Sequence, residues 1–288
     1  MSASYTGLEL YDRTAADAAA AVISRYSTSF GLATRLLGPR PRPHVRNVYA
    51  LVRVADEIVD GPASDAGLSP EQEREVLDAL EAETLRAIER GFSSNLVVHA
   101  FARTARECGI GAALVTPFFA SMRTDIDTSS HDAGSHDAYV FGSAEVVGLM
   151  CLQVFVNAGR PSPRPAPDDL VEGARRLGAA FQDVNFLRDL DDDAGRLGRD
   201  YLGGADDDAR RVTVLDRIDA DLAAAAAVVP RLPRDCRRAV TTAHDLFAEL
   251  SHRLRRTPAR AGRVRVPDAV KVALAARAVV TSRPRSIR

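Results

Sequence analysis

Four aspartates at one repeated spacing narrow what this chain can fold into: Asp56 and Asp60 in RVADEIVDG, then Asp189 and Asp193 in FLRDLDDD. Each pair is i,i+4, so on a helix its members stand one turn apart, about 5–6 Å between Cβ atoms. Like charges at that separation repel, and Asp is a poor residue for a helix interior because its short side chain competes for backbone hydrogen bonds. Folding by itself therefore disfavours both pairs. A hard divalent cation reverses the sign, since Mg²⁺ takes oxygen ligands, few of them carboxylates, and completes its octahedron with water and phosphate oxygens. Two such clusters imply two helices facing each other across one polyanionic head group.

The bland alternative is a solvated acidic helix face, the ordinary fate of an isolated Asp-x-x-x-Asp. Two features weigh against it. Both pairs lie on stripes bordered by apolar residues, which implies partial burial, and a buried carboxylate is costly unless paired or metal-bound. Each pair also has a cation at hand, Arg53 one turn before Asp56 and Arg188 beside Asp189, suited to phosphate or to tethering the carboxylates.

Helical periodicity runs through the chain, and no convincing period-two alternation appears. Helices are expected over Ala15–Arg25, from Val48 to a stop at Gly61-Pro62, from a Ser69 cap toward Arg90, over Leu96–Cys108, Ala112–Met122 and Ala138–Asn157, and from Asp169 to about Leu190. Three more follow near Thr213–Val229, Asp235–Arg256 and Pro267–Ser282. The stretches Gly38–Pro43, Asp125–Asp137, Pro161–Pro167 and Gly203–Asp208 read as turns or loops. Tyr49, Arg53, Asp56 and Asp60 share one helical stripe; Gln182, Asn185, Asp189 and Asp193 share another. No linker or internal repeat divides the 288 residues. One all-α domain with a central cavity is expected, with 1–14 and 283–288 as loose termini.

Composition excludes several classes. A net charge of −1 gives no electrostatic case for nucleic acid. Cys108, Cys151 and Cys236 are odd in number and far apart, so neither a disulfide framework nor a zinc site is indicated, and a reducing cytoplasm fits. No secretory signal pattern opens the chain, and the longest apolar stretches, Val146–Val156 and Leu222–Pro230, fall short of the ~20 residues of a membrane span. A peripheral membrane contact stays open. The G-x-S-x-G elbow, the P-loop and G-x-G-x-x-G are all missing. His131-Asp132 and His136-Asp137 fall in an expected loop without helical metal-ligand spacing and read as solvated; Cys151 reads as core. Lys271 is the only lysine among 38 basic residues, which singles it out.

Five motifs in order, YSTSFGLATRLLGPR, YALVRVADEIVDG, SAEVVGLMC, GAAFQDVNFLRDLDDD and LGRDYL, resemble those of the squalene/phytoene synthase family, and most of all phytoene synthases of actinobacteria. The resemblance runs from about Tyr26 to Lys271. It implies an all-α isoprenoid-synthase-type bundle. Carried over position by position, it implies Mg²⁺ (with Mn²⁺ able to substitute) on Asp56, Glu57, Asp60, Asn185, Asp189 and Asp193. It implies diphosphate contacts from Arg53, Arg188, Arg263 and Lys271, an N-terminal signature at Ser27, Ser29 and Phe30, and an R-x-Y-L element at Arg199 and Tyr201. Tyr139, Ala144, Val147 and Gly148 would line the cavity, with Gln182 and Asn185 as its polar floor. Tyr26 and Thr28 depart from the His and Lys of many relatives, Phe247 from a Tyr and Gly203 from a Pro.

The implied reaction joins two geranylgeranyl diphosphates head to head, through a cyclopropyl diphosphate, to phytoene, in carotenoid biosynthesis and without a nicotinamide cofactor. Tyr139 is the candidate for proton handling; a core tyrosine satisfied by a backbone carbonyl is the alternative. Rival readings are squalene or dehydrosqualene synthesis from farnesyl diphosphate, and a non-catalytic assembly protein of the same fold. Small side chains at Ala144, Val147, Gly148 and Cys151 would leave room along one wall for a long prenyl chain, with product release at a membrane surface.

Overall fold

A computed structural model describes residues 6–27, 29–127, 133–192, 208–258 and 262–281. Among them are thirteen α-helices and no strand: α1 Gly7–Tyr26, α2 Ser29–Arg35, α3 Arg42–Val59, α4 Pro62–Asp65, α5 Pro70–Arg90, α6 Leu96–Cys108, α7 Ala112–Asp127, α8 Ala133–Val140, α9 Val146–Asn157, α10 Asp168–Asp192, α11 Asp208–Val228, α12 Arg234–Arg256 and α13 Asp268–Thr281. Local chemistry sets several boundaries. The Ser69 hydroxyl accepts from the Gln72 amide while the Gln72 side chain returns to the Ser69 amide, with Pro70 at the first helical position. Gly91 and Gly109 close α5 and α6 in the left-handed region, at φ 82° and 76°.

Among the described residues, two large apolar cores dominate. In the N-terminal half, Val48, Leu51 and Ala55 of α3 pack with Leu77 of α5, Phe101 of α6, Phe118 and Phe119 of α7, and Met150 of α9. In the C-terminal half, Val184, Phe186 and Leu187 of α10 pack with Leu215 and Ile218 of α11, Phe247 and Leu254 of α12, and Tyr139 and Val140 of α8. The run α8, a π-helical segment at Phe141–Glu145, and α9 thus contributes one end to each core. From Gly134 to Asn157 this helical run is 24 residues long with an 18-residue window of mean hydropathy 1.7, enough by length and composition to cross a membrane, yet half of that window is buried inside the protein.

The expected helices are found, with four differences. Residues 7–14, expected in a loose terminus, are helical: a Thr6–Glu9 capping box opens α1, and Tyr11 and Asp12 bond Ser93 and His99. The short α2 and α4 were not anticipated. Asp125–Asp137 is not one loop: α7 continues to Asp127 and α8 opens at Ala133. Its Asp, Ser, His and Gly content signals a loop, but tertiary partners for Asp125 and His136 outweigh that local preference. His136 is therefore buried, not solvated.

Candidate active site

Helix α3 presents Tyr49, Arg53, Asp56 and Asp60 on its polar stripe, beside the apolar stripe that enters the core. The helix ends at Val59, so Asp60 is its C-cap, the Asp60 amide bonding the Asp56 carbonyl at 2.9 Å. Both carboxylates thus sit at the negative end of the helix dipole, a placement that repels anions and attracts cations. Burial, then the neighbouring Asp60 carboxylate, push the Asp56 carboxyl up to about 8, and Asp125 of α7 adds repulsion. Asp125 is a member of the site that the sequence does not reveal, because its Asp- and Ser-rich surroundings read as a loop. Glu57, expected among the metal ligands, is paired with Arg53. The Arg53 guanidinium also lies 4.8 Å over the Tyr26 ring, and its Nε is buried with no hydrogen-bond partner among the described residues.

The raised Asp56 pKa has a testable sign. The folded state holds this proton more tightly than the unfolded chain, so its contribution is full below about pH 4 and is lost as pH rises to about 8. Asp56→Asn is expected to remove that loss and, in chelator at about pH 9, to exceed the parent by at least ~1 kcal/mol. Urea unfolding at pH 5 and 9 measures it. An Asn variant no more stable than the parent at the higher pH would refute the cost assigned to a buried, repelled Asp56 carboxylate.

Helix α10 carries the second stripe, with Gln182 and Asn185 partly buried and Asp189 in the last turn, again at a negative helix end. Arg188 Nε meets one Asp189 oxygen at 3.0 Å and Arg263 Nε meets it at 2.9 Å. Two guanidiniums thus collect on this one carboxylate. Lys271, on α13, pairs with Asp268 at 3.0 Å, its side chain 18% exposed. Asp193, Arg199 and Tyr201 lie outside the described residues, as does the side chain of Ser29.

Aromatic rings link the two stripes. The ring of Phe30 on α2 stands 6.5 Å from Tyr49 of α3, 6.0 Å from Phe181 of α10 and 5.8 Å from Phe247 of α12, and Phe181 stacks on Phe247 at 3.8 Å. Ser27 sets the entry to α2, its hydroxyl accepting from the Phe30 amide at 3.0 Å. Tyr139, buried on α8, donates its phenolic hydrogen to Asp125 at 2.8 Å, so its partner is a carboxylate and not a backbone carbonyl.

The cavity-wall expectation for Gly148 is overturned by packing. A Cβ on Gly148 would lie 2.6 Å from the Ala174 carbonyl oxygen, and one on Gly178 would lie 2.7 Å from that of Ala144. These small residues let α9, the π segment and α10 touch backbone to backbone. Val147 packs on the N-terminal core.

The donor set at the two clusters is all oxygen, anionic and placed at helix C-termini, which fits a hard divalent cation. The unpartnered Arg53 Nε and the arginines on Asp189 fit an oxyanion beside it.

The family model described as "Squalene/phytoene synthase" matches residues 23–214. A 15-cis-phytoene synthase of Paracoccus sp. is 28% identical over 266 residues, 85% of this chain and 83% of its own length. Phytoene synthase of Mycobacterium tuberculosis is 30% identical over 68% of this chain and 65% of its own, and phytoene synthase 3 of Zea mays is 31% identical over 63% of this chain but 41% of its own length. The match thus spans less than half of the maize protein. In fold, a dehydrosqualene synthase crystallised with a ligand superposes with a TM-score of 0.78 at 23% identity, covering 95% of this chain and 98% of that one. The squalene synthase HpnC from Alicyclobacillus acidocaldarius gives 0.73 at 19% identity, over 86% and 95%.

Proposed function

Because the chain belongs to the squalene/phytoene synthase family, we propose that it is a Mg²⁺-dependent prenyltransferase joining two geranylgeranyl diphosphates head to head into phytoene. The observation that carries this reading is the pair of carboxylate groups at the negative ends of α3 and α10, linked by the Phe30 cluster. Asp56, Asp60 and Asp189, together with Asp193 and Asn185, would hold the metal, and Asp125 stands close enough to Asp56 to add its charge. When bound, Mg²⁺ supplies positive charge to the oxygens of a departing diphosphate.

The chain's own residues do the rest. Arg53, Arg188 and Arg263 offer guanidinium forks to diphosphate oxygens, with Lys271 as a further cation. Phe30, Tyr49, Phe181 and Phe247 form an aromatic wall that would keep water from an allylic cation. Phytoene formation from two twenty-carbon diphosphates releases two diphosphates and two protons: one proton at closure of the cyclopropane, one at the final double bond. Tyr139, already sharing its hydrogen with Asp125, is the group assigned to the proton step.

The phytoene synthases among the sequence relatives support the twenty-carbon substrate. The test is incubation of the purified chain with Mg²⁺ and either geranylgeranyl or farnesyl diphosphate, followed by mass identification of the hydrocarbon. A forty-carbon product without reductant is expected. A thirty-carbon product alone would transfer the assignment to dehydrosqualene or squalene synthesis, and no product from a folded chain would favour an assembly role.

A further inference from the structure

We propose that His136 is a positioning residue for Tyr139, acting through a buried contact with Asp183. A charged cleft of about 400 Å³ lies between α8 with its π segment, α10 and α11, lined by His136, Glu145, Arg175, Arg176, Asp183 and Arg217 among others. Asp183 follows Gln182 directly, so it points about 100° around α10 from that residue's stripe. The cleft is therefore on a different face of the helix from the aspartates of the site.

At the base of this cleft Asp183 is 1% exposed and fully engaged. Its Oδ1 lies 3.0 Å from His136 Nε2, and its Oδ2 accepts from Arg217 Nε at 3.0 Å. The carboxylate has only acceptors, which assigns the hydrogen to His136 Nε2. Arg217 NH2 also lies 3.0 Å from Nε2, a contact without a hydrogen bond in that tautomer. Burying this group costs several kcal/mol before pairing, and an apolar side chain fills such a place more cheaply. What the polar cluster supplies is directionality. It holds α8 against α10 and α11 in one rotation.

That rotation sets Tyr139. His136 and Tyr139 are i,i+3 on α8, and both rings meet Phe186 of α10, at 5.8 and 6.0 Å between centroids. On the other side α8 is tied to α7 by the Tyr139 phenol on Asp125 and by the Ser121 hydroxyl on the Tyr139 carbonyl at 3.1 Å. Helix α8 has eight residues and passes into a π segment, so these few directional contacts fix the angle at which the phenol enters the site. Without His136 the polar tie to α10 is lost and only the Tyr139–Phe186 ring contact remains on that side, so the phenol drifts relative to substrate even where Asp125 still holds it.

The proposal rests on the proton-handling role given to Tyr139, and the test separates the two. His136→Leu is expected to lower kcat about tenfold with KM for the prenyl diphosphate within about twofold, and His136→Gln, which keeps an N–H for Asp183, to regain most of it. In a Tyr139→Phe background His136→Leu should change kcat by less than about twofold, because the residue it positions is gone. Should His136→Leu not fold, His136→Gln and Asp183→Asn carry the test, Asp183→Asn being expected to lower kcat at unchanged KM. Parental kcat in His136→Leu, or in Asp183→Asn where that variant carries the test, overturns the positioning role. So does a full tenfold loss retained on top of a crippled Tyr139→Phe, or a KM that rises in step with the fall in kcat. Tyr139→Phe with parental turnover overturns instead the proton-handling reading beneath it.

Discussion

Asp60→Asn and Asp189→Asn should each cut turnover at least about a hundredfold, on the order of 3 kcal/mol of transition-state stabilisation. Each loses one unit of negative charge at a helix C-terminus, where the helix dipole disfavours an anion and favours a bound cation; at Asp189 the charge also pairs with Arg188 and Arg263. The helical fold should survive both changes. Asp60 caps α3 through its backbone amide, which Asn retains, and Asp189 sits in the last turn of α10. Steady-state kinetics with Mg²⁺, alongside circular dichroism, measures the separation. Turnover within a few-fold of the parent in either variant would remove the two-cluster site.

Gly148→Phe should unfold or severely destabilise the protein and abolish use of fifteen- and twenty-carbon substrates together. Even Gly148→Ala places a methyl 2.6 Å from the Ala174 carbonyl oxygen, a backbone atom that moves only with its helix. The expected cost for Ala is about 1–3 kcal/mol, with Phe exceeding that range. Urea denaturation of the Ala variant gives the number, and product assays with both diphosphates give the selectivity. Parental stability in Gly148→Ala, or a Phe variant that loses only the longer substrate, would restore the cavity-wall role that the small side chains first suggested.

The outcome at Gly148 shows where local reading fails. A stripe of small residues looks the same whether it borders a cavity or a neighbouring backbone; only the reciprocal contact of Ala144 with Gly178 and Gly148 with Ala174 distinguishes them. Asp125 and His136 were obscured in a similar way. Their surroundings are rich in Asp, Ser, His and Gly, which favour loops. Each takes a helical, buried place because a distant partner compensates its polarity, Tyr139 at 14 residues' separation and Asp183 at 47.

From the sequence alone came nearly every long helix, the stripes of Asp56, Asp60 and Asp189, the arginines beside them and the Ser69 cap. All of these rest on spacing within one or two helical turns, where propensity and periodicity act directly. Tertiary structure alone decided that Glu57 goes to Arg53, that the Tyr139 phenol meets a carboxylate, that a buried histidine ties α8 to α10, and that glycine at 148 serves a helix crossing. Those outcomes are set by which surfaces meet and which buried polar groups must then find partners, and that cost depends on contacts between residues far apart in the chain.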